Sequence, residues 1–210
     1  MWFGTNPNDR WNGAIVHLRK DSVLREVIDR VGPCTLRPRR NYFVKLVQSI
    51  LSQQVSVKAA AAMYLKLSKQ FPRRHVTPSG LYVFLTTGDE DLIRSCGLSR
   101  QKRAYLTDLS SRFAAGEIDT KRFGRMTDDE IVAALTPIKG IGRWTVEMML
   151  MFALNRPDVW PVDDLGLQEA YRVLYGLPAR PKPKELMPLA DRWRPYRTVA
   201  SWYLWRYKEE

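Results

Sequence analysis

Apolar residues recur at spacings of three and four along most of the chain, as in Val44, Val47, Ile50 and Leu51 and again in Val132 and Leu135. That is the period of a helix burying one face. Sustained alternation with period two, the mark of a half-buried strand, is hard to find. The pattern predicts an all-α fold. Glycine and proline cut it into segments at Gly32-Pro33, Phe71-Pro72, Thr77-Pro78-Ser79-Gly80, Gly88-Asp89, Gly97, Gly116, Gly140-Ile141-Gly142, Asn155-Arg156-Pro157 and Gly176-Leu177-Pro178. This punctuation predicts about ten helices of about 8–16 residues each. Pro178-Ala179-Arg180-Pro181-Lys182-Pro183 reads as a stiff, basic loop.

A chain of 210 residues makes one compact unit or two small lobes. No apolar run approaches the roughly 18–20 residues of a membrane span, which excludes a spanning helix. Thirty-four Lys and Arg against 22 Asp and Glu leave a net charge of +12, and such an excess points to a polyanion, nucleic acid first. The basic residues fall in groups at turns: Arg37/Arg39/Arg40, Arg73/Arg74, Arg100/Lys102/Arg103, Lys139/Arg143 and Arg192/Arg194/Arg197. A solvated surface accounts for part of them and a phosphate-facing side for the overall excess. The two cysteines, Cys34 and Cys96, are far apart, and His17 and His75 are isolated. Zinc-knuckle and four-cysteine iron–sulfur chemistry are thereby excluded. Met1-Trp2-Phe3-Gly4 lacks the plan of a secretory leader, so a cytoplasmic, reducing location is expected.

Residues 127–166 carry the most information. Thr127-Asp128-Asp129-Glu130 opens a helix to Leu135, Thr136-Pro137-Ile138-Lys139-Gly140-Ile141-Gly142 forms a tight turn, and a second helix runs to Ala153. Trp160-Pro161-Val162-Asp163-Asp164-Leu165-Gly166 then leads into a helix ending near Tyr175. The two glycines permit positive φ and close approach of a ligand to the backbone, and the first amides of the second helix are unpaired donors. A phosphate can sit there beside Lys139 and Arg143. An ordinary αα turn with a glycine cap has the same appearance. Asp164 stands where an N-cap is expected, and capping is the plain reading of an acid there. Trp144, Met148 and Phe152 form one stripe of the second helix, with Val146, Met149, Leu150 and Ala153 on the opposite, core-facing side.

Four segments in order, Ile50-Leu51-Ser52-Gln53-Gln54-Val55-Ser56, Ile138 to Thr145, Val162-Asp163-Asp164-Leu165-Gly166, and Arg192-Trp193-Arg194-Pro195-Tyr196-Arg197 followed by Trp202 and Trp205, resemble the helix-hairpin-helix (HhH-GPD) DNA glycosylase superfamily. Within it they are similar to the alkylated-base branch, bacterial 3-methyladenine DNA glycosylase II, from about Asp21 to the C-terminus. The resemblance implies a two-lobe all-α fold with a cleft between the lobes, 42–157 forming the central lobe and 1–41 with 158–210 the second. It also implies a monomer that hydrolyses the N-glycosidic bond of alkylated purines, 3-methyladenine and 7-methylguanine, in double-stranded DNA associated with the nucleoid, leaving an abasic site for base excision repair.

Residue by residue, the resemblance makes Asp164 the catalytic carboxylate and Gln54 the wedge that fills the gap left by an extruded nucleotide. Lys139, Gly140, Ile141, Gly142, Arg143 and Thr145 would hold the DNA backbone. The carbonyls of Thr136, Ile138 and Gly140 would hold a structural Na+ or K+, the sole cofactor implied. Trp144, Met148, Leu165 and Trp205 would line the base pocket, with Trp202 left in the core. Relatives that also nick the strand carry a lysine where this chain has Trp144, and an indole forms no imine, so lyase activity is not expected. Met148 and Leu165 replace aromatic pocket residues of close relatives, which favours a broad lesion range. The N-terminal β-rich domain of the longest members has no counterpart in this sequence. Other readings remain: release of hypoxanthine, an N1-alkylated base or uracil; a non-catalytic DNA-binding module, for which charge and Gly140-Ile141-Gly142 suffice; or a helical adapter without DNA affinity.

Overall fold

The structure, a computed structural model, describes residues 9–209. Met1 to Gly4, considered above as a leader, lie outside them. Helices α1 (Asn12–Leu18), α2 (Ser22–Val31), α3 (Tyr42–Ser52), α4 (Val57–Ser68), α5 (Pro78–Thr87), α6 (Glu90–Ser95), α7 (Arg100–Ala114), α8 (Asp128–Leu135), α9 (Arg143–Met149), α10 (Leu165–Leu174), α11 (Pro183–Leu189) and α12 (Arg197–Glu209) account for the chain, with short 3-10 turns and no strand among the described residues. The excess over ten comes from helices of six or seven residues such as α6 and α11, too short to show a full apolar period in sequence.

The turn residues that punctuate the sequence also start the helices. Asn41, Ser56, Thr77, Asp89 and Ser99 each accept a hydrogen bond from an amide in the first turn of the helix they precede, satisfying donors that no carbonyl of the helix can reach. Thr127 and Glu130 form a reciprocal capping box at α8. The hydrogen bond from the Thr127 amide, with that from its hydroxyl, holds the Glu130 carboxyl below its ordinary value.

The chain divides into two compact units, residues 39–149 and residues 1–38 with 150–210. The expected boundaries at 42 and 157 differ from these, chiefly because Leu150–Pro157 belongs with the termini. The reason is local. After Met149 the helix widens into a π turn, Leu150–Leu154, and does not run on to Ala153 as a regular α-helix. Asn155 closes the turn at φ 53, and the Arg156 amide reaches back to the Leu150 carbonyl at 2.9 Å, as at a left-handed helix stop.

In the 39–149 unit, α3 is the central element. It buries Phe43, Leu46, Val47, Ile50 and Leu51 and packs against α4, α7 and α9, while α5 lies on α7 and α8 on α9. In the other unit α12 packs on α1, α2 and α10. There Leu24, Val27, Ile28, Leu167, Tyr171, Tyr203 and Leu204 join one core cluster, and Trp160 meets Trp193 edge-to-face at 5.5 Å. Trp202 is buried, as expected of a core residue.

One basic group has a different use from the expected phosphate-facing one. Arg192 pairs with Asp21 at 3.1 Å, Arg194 with Asp158 at 3.0 Å and Arg197 with Asp158 at 2.8 Å. These guanidiniums tie the unit together internally, because each already has a carboxylate within hydrogen-bond reach.

Candidate functional site

The hairpin between α8 and α9 is held by side chains from α7 and from the α3–α4 corner of its unit. The Lys139 amide donates to Asp108 Oδ2 at 2.9 Å, the oxygen that also receives Arg112 Nε at 3.3 Å. Gln53 Nε2 donates to the Gly140 carbonyl at 2.8 Å. Within the turn the Ile141 amide donates to the Ile138 carbonyl at 3.0 Å. Gly140 sits at φ +79, and a Cβ there would overlap the Tyr105 ring, so both backbone and packing demand glycine. Gly142 is different. Its φ lies outside the left-handed region, a Cβ would meet nothing within 4 Å, and the residue is exposed. Only one of the two glycines therefore supplies a positive φ.

These contacts sort the hairpin residues. The amides of Lys139 and Ile141 are used inside the unit, and Thr145, 6% exposed, offers no side chain to a ligand. The turn uses these groups for its own closure. The Lys139 side chain is exposed. Arg143 is exposed as well, though it pairs with Asp129 at 3.5 Å and with Glu147 at 3.7 Å. The Gly140 and Ile138 carbonyls each already accept one hydrogen bond, from Gln53 Nε2 and from the Ile141 amide, and a carbonyl keeps a second lone pair for a cation.

The α3–α4 corner of the same unit has two glutamines with opposite uses. Gln53 clamps the hairpin, a structural role. Gln54 is exposed and held at φ 57, a left-handed conformation that a non-glycine residue adopts only at some expense. Val55 and Val57 beside it are 40% and 87% exposed. Trp144 is 44% exposed at the start of α9, while Met148 one turn on is half-buried.

In the other unit, Asp164 is half-buried between exposed Asp163 and Leu165, the latter 61% exposed. Its Oδ1 accepts the Leu167 amide at 2.6 Å, so the acid does cap α10. The same oxygen accepts Trp205 Nε1 from α12 at 3.1 Å. Phe152, from the π turn, lies on Trp205 with ring centroids 5.6 Å apart and planes at 31°. The Gln168 side-chain Nε2 donates to the Val162 carbonyl at 2.7 Å and fixes the loop before the acid. Asp164, Leu165 and Trp205 are thus brought together within one unit, whereas Trp144, Met148, Gln54 and the hairpin belong to the other.

Sequence reasoning missed Gln53, Tyr105 and Asp108 as supports of the hairpin and Phe152 as the neighbour of Trp205. Gly140 carried a signal for a close neighbour without naming it. The rest needs partners from 31 to 87 positions away, such as Asp108 to Lys139 and Gln53 to Gly140.

Among the described residues no helix is long and apolar enough to cross a membrane, and no His, Cys, Asp and Glu group could hold a metal ion. The DNA-3-methyladenine glycosylase 1 of Schizosaccharomyces pombe is 36% identical over 205 residues, 92% of this chain and 86% of its own length. A solved S. pombe 3-methyladenine DNA glycosylase in complex with abasic DNA superimposes with a TM-score of 0.81 at 34% identity, covering 94% of this chain and 97% of that one. A DNA-3-methyladenine glycosidase from Bacillus halodurans gives a TM-score of 0.81 at 33% identity, over 98% of this chain and 94% of its own. Residues 47–195 match the HhH-GPD superfamily model, and with hairpin, corner and capping acid in place along the fold, the chain belongs to the HhH-GPD superfamily of base excision DNA repair proteins.

Proposed function

We propose that this protein is a monofunctional DNA glycosylase that releases N3- and N7-alkylated purines from double-stranded DNA and leaves an abasic site. The observation that carries the reading is Asp164, a half-buried carboxylate whose Oδ1 is fixed by two donors. The names of the relatives supply the substrate class.

An alkylated purine carries positive charge, so the C1'–N bond breaks with its electron pair passing to the base, which leaves neutral. The sugar becomes oxocarbenium-like. A carboxylate set against C1' stabilises that charge and takes the proton from the water whose oxygen forms the new bond to C1'. Capping and this chemistry are compatible because a carboxylate has two oxygens and several acceptor directions. Trp144, at the position where a lysine would form an imine, leaves hydrolysis as the one route.

Gln54 is assigned the wedge. It is exposed and keeps a left-handed backbone, the kind of strain retained where function needs a side chain aimed outward, and its planar amide can stack in the space a flipped nucleotide leaves. Gly142, exposed with open space where a Cβ would stand, lets a phosphate come close to the hairpin backbone, with Lys139 and Arg143 adding charge. The carbonyls of Thr136, Ile138 and Gly140 would hold a monovalent cation, Na+ or K+, which would supply positive charge at the turn. Trp144 offers a π face to an electron-poor base, and Met148 one turn on makes its surroundings less aromatic, which suits more than one alkylated purine. The setting assigned is cytoplasmic, at the nucleoid. Cys34 and Cys96 are free and buried, and burial pushes the Cys34 thiol up to about 11, as befits inert thiols.

The test is Asp164→Asn on methylated genomic DNA. The variant is expected to bind that DNA while release of 3-methyladenine and 7-methylguanine falls by at least about 100-fold. Unchanged release would remove the reading and leave a non-catalytic DNA-binding module.

A further inference from the structure

Glycine at position 166 has no backbone explanation. It lies in the first turn of α10, its φ is outside the left-handed region, and glycine weakens a helix it does not have to bend. Its surroundings explain it. A Cβ at Gly166 would stand 3.1 Å from Asp164 Oδ1, 3.7 Å from Trp205 Nε1 and 3.8 Å from Trp205 Cδ1. The two indole distances are ordinary contact, whereas the carboxylate oxygen would have to give way, so the missing side chain is what leaves Oδ1 where the Trp205 N–H meets it.

We propose that Trp205 and Gly166 are positioning residues for Asp164, with Phe152 setting the plane of the indole. The proposal rests on the reading of Asp164 as the catalytic carboxylate. A cap alone gives Oδ1 one donor, the Leu167 amide at 2.6 Å, about which the carboxylate can still turn. The second donor, Trp205 Nε1 at 3.1 Å, comes from α12, a different helix. Two donors converging on one oxygen from different directions fix the carboxylate plane and with it the place of the other oxygen. Trp205 is partly buried against its unit's core, and Phe152 lies across its ring at 5.6 Å, so the Nε1–H direction is set by packing. This role differs from that of an aromatic face for the extruded base, which any aromatic ring could perform and which leaves Nε1 without a task.

Trp205→Phe separates the two, since it keeps a ring beside Phe152 and removes the donor. Single-turnover release from a duplex carrying one 7-methylguanine, with affinity for the same duplex measured alongside, is the readout. The expected result is a rate lower by about tenfold with affinity within about twofold, the loss of one hydrogen bond to a charged group. Gly166→Ala, which keeps Trp205 but shifts the Asp164 oxygen away from its N–H, is expected to lower the rate in the same way, and Phe152→Leu by about threefold, the smallest effect. An unchanged rate in Trp205→Phe, or weaker binding with the rate unchanged, overturns the proposal in favour of a stacking role. If thermal melting shows that Trp205→Phe does not fold, Gly166→Ala decides between the two roles by the same criterion. Asp164→Asn keeps the two failures apart: a silent Asp164→Asn sinks the glycosylase reading, whereas an inactive Asp164→Asn beside an unaffected Trp205→Phe sinks only the positioning role.

Discussion

Two aspartates in the same unit stand in matching local positions. Asp21 caps α2 through the Val23 and Leu24 amides, and Asp164 caps α10 through the Leu167 amide. Each also accepts an indole N–H at 3.1 Å, Trp193 for Asp21 and Trp205 for Asp164. From there they diverge. Asp21 receives Tyr175 Oη at 2.9 Å and Arg192 Nε at 3.1 Å, and its side chain is 7% exposed. Burial, and then the Asp21 carboxylate, push the Tyr175 phenol well above the ordinary tyrosine value, so it remains a donor. The Arg192 guanidinium lies over the Tyr175 ring at 4.7 Å and the Trp193 ring at 5.2 Å. The acid at α2 is thus closed in by its own partners, whereas the acid at α10 is half-buried beside a leucine open to solvent. A cap and an indole donor do not make a catalytic group. Burial is what distinguishes the two.

The comparison can be broken from either side. Asp164→Asn is expected to give the largest effect of all, the loss of base release described above. Because asparagine caps as well as aspartate, its unfolding free energy should stay within about 0.5 kcal/mol of the parent in urea. A large destabilisation would make Asp164 a second Asp21. Conversely, Asp21→Ala should cost about 3–5 kcal/mol, since it strands the Trp193 indole N–H, the Tyr175 hydroxyl, the Arg192 guanidinium and two first-turn amides at once, while the protein that remains folded still releases base. Loss of release at full stability would place Asp21 in the chemistry.

Smaller effects test how the hairpin and the corner are supported in the 39–149 unit. Gly140→Ala should destabilise by about 2 kcal/mol or more in chemical denaturation, from overlap with Tyr105 together with the left-handed backbone. Gly142→Ala is expected to be neutral in the same melt but to weaken DNA binding. At the corner, Gln53→Ala should cost about 1 kcal/mol by removing the bond to the Gly140 carbonyl. Gln54→Gly should instead stabilise by about 0.5–1 kcal/mol, by relieving the left-handed strain, and lower base release several-fold. Equal effects of the two glutamine variants would erase the distinction between clamp and wedge.

Much of this arrangement is legible in the sequence. The helical period, the turns and the helix starts follow from apolar spacing and from Asn, Ser, Thr and Asp at the boundaries, because each is decided within a few residues of itself. The hairpin is visible in Gly140-Ile141-Gly142 and the acid in Val162-Asp163-Asp164. Less visible is which residue does what. Gln53 and Gln54 are neighbours of one type, and nothing local says that one reaches a carbonyl 87 positions on. Arg192, Arg194 and Arg197 look available to phosphate because Asp21 and Asp158 are distant in sequence. The π turn at Leu150–Leu154 is hidden because its apolar spacing still reads as helix.

By itself, then, the sequence determined the helices, their caps, the glycine turn and the acid before α10, all of them products of short-range sterics and of amides needing acceptors. The tertiary structure decided which glycine has a ring against it, which arginines are already neutralised, and that Trp205 reaches Asp164 past Gly166. Those are matters of distance between segments far apart in the chain, and such distances exist only once the cores have packed.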